Sequence, residues 1–565
     1  TGVAVWLMRP APAPRERLRA SINLPSTMRL DQQNPPFAFS PDGRTLAIVA
    51  VGAGGKPMLH LRRLDARDTQ PLAGTEGASY PFWSPDGRYL GFFAERKLKK
   101  IPATGGAVVS LCDVVDGRGA SWSRTGVIVF SPGPFGGLSM VGEAGGAPTP
   151  LTTTDQPSVT HRLPWFLPDG KRLLYFIGTI SGDKKNGVHV LDLETKKDTP
   201  LLDVDSRVAY AAPGWISFVR DQNVLAQRFD ASTLKLQGEA IPIAEGIHYN
   251  AARWSGAYAI SDQGALVYQS GAASLRSQFT WFDYDGKKLE SVGEPGPIGF
   301  PSLSPDGKRV AFGRFASTSG QAEIWVLDLT RGVSSRFSFG QGGASFPLWS
   351  PDSQRVAFTD GDGQILIKRA DGTGDAETLV GTHDRLRNPS FWTPDGAQIF
   401  FRMQDPKTGL DLHQLATGGS HEVKDLLVTP ANETDPSLSP DGRLLAYRSD
   451  ESGGTMQLFI VPYPADTGGK WQVTNGGAEN YEWSPDGRRI IYEAADGKMY
   501  SVGVQRVNGV VELGAATPFF GGETAPNAWA LGRDGKRLLG IEQINEGSTA
   551  PLELDLDWSA GIVLP

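Results

Sequence analysis

One alternation of apolar and polar positions recurs along the chain. An aromatic residue or Leu meets Ser-Pro-Asp-Gly-Lys/Arg, and a short apolar run follows. The unit reads FSPDGRTLAIVA from Phe39, WSPDGRYLGFFA from Trp83 and LSPDGKRVAFGR from Leu303. It returns as WSPDSQRVAFTD from Trp349, WTPDGAQIFFRM from Trp392, LSPDGRLLAYRS from Leu438 and WSPDGRRIIYEA from Trp483. Looser copies begin at Trp122, Leu167, Ile260 and Leu531, and APGWISFVRDQNVLAQRF around Gly214 supplies one more. The apolar runs place Leu46, Ile48 and Ala50 on one face, the period of a strand. Pro presets φ for a tight turn, Asp bonds the turn amides and Gly supplies a positive φ, so each unit predicts a hairpin. Asp42, Asp86, Asp169, Asp306, Asp352, Asp395, Asp441, Asp486 and Asp534 read as structural turn residues. They recur in nearly every unit, whereas a catalytic group need occur only once. A second hairpin recurs as VHVLDLETKK (Val188–Lys197), FTWFDYDGKK (Phe279–Lys288) and IWVLDLTRG (Ile324–Gly332), which reads as third and fourth strands. No sustained 3.6-residue pattern appears, so helix is expected to be minor.

Eleven steps of about 45 residues lead from Asp42 to Asp534, the period of a four-stranded propeller blade. The expected fold is all-β: two tandem six-bladed β-propellers, about twelve four-stranded blades of about 45 residues each. Six- and seven-bladed rings, or an unequal split, satisfy the same spacing. The expected division is a linker at 1–18, a first propeller at 19–278 and a second at 279–565. A single blade cannot bury both faces. Stacking blades about an axis does, and closing the ring removes exposed edges. Arg19–Leu24 and Leu552–Trp558 are candidate closing strands, with the ring each one closes left open. Trp83, Trp122, Trp349, Trp392 and Trp483 share one repeat position, which points to packing between blades.

Charge narrows the partners. The 565 residues carry 55 Lys+Arg against 62 Asp+Glu, net −7, which argues against nucleic acid. Cys112 is the only cysteine, so an intrachain disulfide and a cysteine-rich metal site are excluded. Thr1–Met8 is apolar and a Pro/Ala stretch follows it. Eight residues fall short of the roughly 20 that cross a bilayer. They read either as the end of a membrane helix or as an N-terminus without regular structure.

Motifs of catalysis do not appear. There is no GxSxG elbow, no HExxH, and no kinase glycine-rich loop, HRD or DFG. VGAGGKP (Val51–Pro57) lacks the first P-loop glycine and has Pro57 where Ser or Thr is required, so it reads as a turn. The seven histidines show no metal-ligand spacing. TDGDGQ (Thr359–Gln364) and DYDGKK (Asp283–Lys288) lack the distal Glu of a calcium loop. No catalytic residue, cofactor or metal is expected. Propellers bind at the mouth of the central channel, where the innermost strand begins. That places Tyr80, His161, Arg162, Phe300, Phe346, Asn388, Asp435 and Asn480 at the rims as candidate ligand-binding residues.

The Trp-Ser-Pro-Asp-Gly units resemble the TolB-type, WD40-like propeller repeat from about Phe39 to Trp558. Ser217–Ile247, Thr280–Gly296, Ser449–Gly477 and Leu552–Ser559 also resemble the C-terminal region of bacterial membrane-anchored serine/threonine kinases. The resemblance implies a sensor module outside the cytoplasm on the periplasmic side, anchored to the inner membrane by an N-terminal helix. It would bind a peptide, protein or cell-envelope ligand. A free-standing TolB-like periplasmic scaffold and the propeller portion of a prolyl-oligopeptidase-type peptidase are the alternatives.

Overall fold

The computed structural model describes residues 17–560 and 562, apart from 26–27, 32–33, 52–55, 155–158, 180–185, 251–252, 270–276, 316–321, 340–342, 382–386, 406–407, 453–455, 465–467, 508–509, 524 and 545–550. The expected Thr1–Met8 helix end lies outside the described residues. Among the described residues the architecture is all-β: ten four-stranded sheets, two five-stranded sheets and one two-stranded hairpin. Helical structure is confined to short 3-10 turns such as Phe520–Gly522.

Twelve sheets repeat one plan, and we number them in order of their leading strands. Sheets 1 to 6 lead with Phe37–Phe39, Ser79–Trp83, Ala120–Trp122, Val159–Phe166, Ala209–Ala211 and Tyr258–Ile260. Sheets 7 to 12 lead with Ile298–Leu303, Ala344–Trp349, Arg387–Trp392, Glu433–Leu438, Asn480–Trp483 and Asn527–Leu531. In each group the leading strands touch their successors from the first sheet through the fifth. Sheet 5 packs on sheet 6 through Ala209, Ala211, Tyr258 and Ile260. The leading strand of sheet 11 touches that of sheet 12. The last of each group also touches the first: sheet 6 meets sheet 1, and sheet 12 meets sheet 7.

The Pro-Asp-Gly turns explain why the unit is copied so closely. At the first, Asp42 Oδ1 accepts from Ser40 Oγ at 2.5 Å and from the Arg44 amide at 3.1 Å. Ser40 Oγ in turn accepts from the Thr45 amide at 2.9 Å. Gly43 sits at φ +68°, which only glycine adopts without penalty. Ser84–Asp86, Ser304–Asp306, Ser350–Asp352, Thr393–Asp395, Ser439–Asp441 and Ser484–Asp486 repeat the hydroxyl–carboxylate bond. Asp169 and Asp534 have no Ser before the turn, and bond the amide two residues on and an Arg side chain instead. These bonds favour the ionised carboxylate. The Ser84 hydroxyl leads in holding Asp86 down at about 2.

The repeated Trp bridges sheets. The indole N–H of Trp83 donates to the Ala38 carbonyl at 3.0 Å, that of Trp349 to Ser302 at 2.9 Å and that of Trp483 to Ser437 at 3.4 Å. Each acceptor lies on the leading strand of the preceding sheet. Apolar side chains therefore gather between successive sheets, as Trp122 does with Phe82 and Phe93, and Trp392 with Ala357 and Ile367.

The two ends of the described chain pair with each other. Leu552–Leu556 does not stay with 279–565. It pairs with Ala265–Gln269 on one side and Leu18–Ile22 on the other, with Leu554 opposite both Val267 and Ala20. Both candidate closing strands thus enter sheet 6. The physical reason is the alternation in LELDL: Leu552 and Leu554 bury themselves against Phe37, Ile48 and Val267. Asp555 is buried too, held by Arg17 Nε at 2.5 Å. Sheet 12 is completed by Ser277–Asp283 and Lys288–Gly296, which precede the rest of their group.

Candidate binding site

A β-bulge interrupts most leading strands before the turn. The register slips between Ser79 and Phe82, Arg162 and Trp165, Gly299 and Ser302, Ser345 and Leu348, and Thr434 and Ser437. At each slip a residue with positive φ precedes a proline: Tyr80 (+48°), Leu163 (+54°), Phe300 (+52°), Phe346 (+54°) and Asp435 (+52°). A left-handed backbone is costly for such residues, and more so before Pro. Its recurrence marks it as part of the repeat. The bulge re-aims the side chain at the start of the strand.

In the first group these strands surround a cavity of about 340 Å³. Each of the six leading strands or its immediate flank contributes, for example Phe37, Tyr80, Ser121, Leu163, Tyr210 and Ile260. One end is formed by the Pro-Asp-Gly turns, including Pro41, Pro85 and Arg124. The other end begins at Pro35, Tyr80, Gly119 and Arg207. Gly119 has φ +97°, and a Cβ there would press on the Leu163 backbone at 3.1 Å.

Beside that second end lies a group of guanidiniums. Arg118 is buried and doubly bonded to Asp116. Arg162 is buried, donates to Thr160 Oγ1 at 3.1 Å and to the Pro134 carbonyl at 2.6 Å, and stacks 4.5 Å from the Trp254 ring. Burial pulls Arg162 down to about 9, with Arg118 and Arg253 adding repulsion. Burial and Arg118 lower Arg253 as well. Arg207 stacks on Tyr258 at 5.0 Å. Tyr80 is 4 % exposed, and among the described residues its hydroxyl finds no hydrogen-bond partner.

The second group presents different chemistry at the equivalent end. Phe300, 40 % exposed, lies 4.7 Å from Phe346 and 5.8 Å from Phe315, ring centre to ring centre. Turning the Asn388 amide puts its oxygen 3.1 and 3.0 Å from Nε and Nη2 of Arg402. Asp435 accepts from Arg448 Nε at 2.9 Å, and its backbone carbonyl accepts from the Tyr481 hydroxyl. Burial pushes the Asp435 carboxyl up, but Arg448 and Arg402 outweigh it and hold it below the usual range. Asn480 is half-buried and its side chain accepts from the Tyr481 amide at 2.9 Å.

The eight rim residues therefore belong to two separate places. Tyr80 lines the first cavity and Arg162 lies beside it. His161, expected at the rim, turns into sheet 4, where its ring meets Tyr175 at 5.2 Å and Nδ1 lies 2.7 Å from Thr152 Oγ1. Strand alternation sends adjacent residues to opposite faces, so His161 and Arg162 cannot both point the same way. Sequence reasoning missed Arg118, Leu163, Arg207, Arg253 and Trp254. Pro164, three residues before Leu167 where other copies carry the turn Ser, was the available signal for Leu163. Arg118 and Arg253 lie in connections that carry no repeat mark.

Among the described residues no three His, Cys, Asp or Glu side chains group to hold a metal, and no helix is long and apolar enough to cross a membrane. No family model matches the chain. It is 25% identical over 228 residues to the Tol-Pal system protein TolB of Francisella tularensis, a match covering 39% of this chain and 52% of that protein. It is 26% identical over 206 residues to the uncharacterized peptidase YuxL of Bacillus subtilis, covering 34% of this chain and 29% of YuxL. The chain thus spans about half the length of the TolB relatives it matches. TolB from Acinetobacter baumannii aligns in space with a TM-score of 0.33 and 16% identity, over 60% of this chain and 81% of that one.

Proposed function

We propose that this chain is a non-catalytic binding scaffold outside the cytoplasm, built as two six-bladed β-propellers with the first channel as its ligand site. The first ring comprises 18–269 with 552–562, and the second 277–543. The contact between first and last sheets of each group supports closure. The low-identity similarity to a Tol-Pal system protein supports the periplasmic placement. One observation carries the ligand site: six leading strands converge on a single cavity of about 340 Å³, at the low end of ligand pockets. The ligand is a peptide, protein or cell-envelope component.

Site-specific photo-crosslinking in cell-envelope extract tests this reading. A crosslinking residue replaces Arg124 at the channel, and another replaces Val109, exposed on a sheet edge, as the control. A discrete adduct at 124 and none at 109 is expected. Equal capture at both, or none at 124, removes the channel as the site. A finer reading is the propeller region of a membrane-anchored serine/threonine kinase. It rests on the segments quoted above, and is tested by the sequence encoded before Thr1: a kinase domain and about 20 apolar residues support it.

A further inference from the structure

The chain is acidic overall, net −7, yet the second end of the first channel collects positive charge. Arg118, Arg162 and Arg253 act on one another there, with Asp31 and Asp116 the acids in reach, and Arg207 lines the same end of the cavity. Asp116 is already committed to Arg118. Arg162 has carbonyl, hydroxyl and ring partners but no carboxylate. Arg207 likewise donates to the Tyr258 carbonyl and rests on its ring. Burying a guanidinium without a counter-charge is expensive, and Arg118 and Arg162 are buried while Arg207 and Arg253 are half-buried. Lysine would not substitute, since a planar guanidinium stacks on Trp254 while keeping edge donors available. The second observation is Tyr80. Tyr80 lines the cavity, is almost wholly buried with its ring against Phe93, and among the described residues its hydroxyl has no hydrogen-bond partner. Its phenol lies within electrostatic reach of both Arg162 and Arg253.

We infer that this end of the first channel is a carboxylate-binding subsite, in which Arg162 and Arg253 supply the charge and the Tyr80 hydroxyl donates a hydrogen bond. The inference rests on the channel being the ligand site and names the chemistry that site recognises. The carboxylate comes either from an acidic side chain or from a free peptide C-terminus. Charge-assisted bonds from Arg to a carboxylate are short and directional, and the apolar cavity below accepts the rest of the ligand.

Isothermal titration calorimetry on the whole chain tests it with three probes. One is a Glu-containing pentapeptide amidated at its C-terminus. Another is the Gln counterpart with a free C-terminus. The last is inorganic phosphate. Binding of either peptide is expected, and which one binds identifies the carboxylate source. Arg253→Gln and Tyr80→Phe should each weaken it by roughly tenfold or more. Arg162→Met should abolish it; because Arg162 is buried, the two milder variants decide the matter if that one fails to fold. Binding of phosphate alone overturns the carboxylate class. Binding of neither peptide, or affinity unchanged in both Arg253→Gln and Tyr80→Phe, overturns the subsite. A crosslinked adduct at position 124 together with a failed titration leaves the channel standing and removes only its anion preference.

Discussion

The two groups of sheets solve the same problem with opposite chemistry. In sheets 1 to 6 the start of the leading strands gathers guanidiniums, Arg118 and Arg162 buried and Arg207 and Arg253 half-buried, that outnumber the acids in reach. In sheets 7 to 12 carboxyls stand there: burial raises the fully buried Glu433 and the half-buried Glu493, opposite Asn480, above the ordinary range. Asp435 there is held low by Arg448 and Arg402, and Asp450 by Asn432 and Arg96. Cations and hydroxyls in the second group are largely paired, as Arg402 to Thr434 and Tyr481 to Ala446 show. The backbone at this end is shared, down to the bulge and the positive φ before proline. The repeat therefore sets where a side chain is presented, and the identity of that side chain alone decides what it meets. The strands that complete the last sheet of each group differ as well. Sheet 6 draws strands from both ends of the chain, whereas sheet 12 draws its four from 277–543.

That difference predicts the largest effect. Removing 551–565 takes Leu552–Leu556 from the middle of sheet 6, leaves Leu18–Ile22 without a neighbour and strips Trp558 from Trp215. Sheets 1 to 6 should lose cooperative folding while sheets 7 to 12 keep it. Limited proteolysis should leave a resistant fragment beginning near Ser277. Coordinated loss of both halves would mean that they fold as one unit. Trp392→Ala is the reciprocal change. It empties a site packed by Ala357, Ile367 and Ile399 and should cost about 3–5 kcal/mol, lowering the transition of the second half in calorimetry. An equal shift of both transitions would break the separation. A smaller effect probes the join. Arg96, in sheet 2, reaches Asp450 of sheet 10 at 2.7 Å, and Asp450 also accepts from the Asn432 amide at 2.8 Å. Asp450→Ala should cost about 1–3 kcal/mol and move the two transitions apart. Transitions that keep their spacing would show that this ion pair does not couple the halves.

Most of the fold was legible because its signals are local. Ser-Pro-Asp-Gly closes its own hydrogen bonds within six residues, from Ser40 to Thr45, so each hairpin announces itself. The Trp before it needs only a neighbour of the same kind, as Trp349 finds in Ser302. Closure was not legible in detail. The pairing of Leu554 with Ala20 and Val267 depends on where two distant segments meet, and no residue near either one encodes that. The site was legible in part for the same reason. Tyr80 and Arg162 sit at counted positions of the repeat. Arg118 precedes a loose copy and Arg253 lies outside any strand, so nothing periodic marks them. His161 was misplaced by one residue of alternation, which in a strand reverses the face.

The smallest effect separates the two mouths by their response to pH. Glu433 begins the leading strand of sheet 10, is fully buried, and has an Oε2 with no hydrogen-bond partner among the described residues. Burial, with Asp411, Glu451 and Asp450 adding repulsion against the Thr429 hydroxyl bond, pushes its carboxyl up to about 7. A carboxyl whose folded value is raised keeps its proton longer in the folded chain than in the unfolded one. Between the ordinary Glu value near 4.5 and about 7 the folded state therefore holds more protons, and stability falls as pH rises through that window. Glu433→Gln keeps an acceptor for Thr429 and removes the ionisation. It should gain on the order of 2 kcal/mol over the natural chain at pH 8 and nothing at pH 4. Denaturant unfolding at the two pH values reads the difference. Parallel profiles would mean that the buried acid is not what distinguishes the second mouth. The guanidiniums of the first mouth stay charged across the same window, so a variant there such as Arg253→Gln should leave the pH profile unchanged in shape.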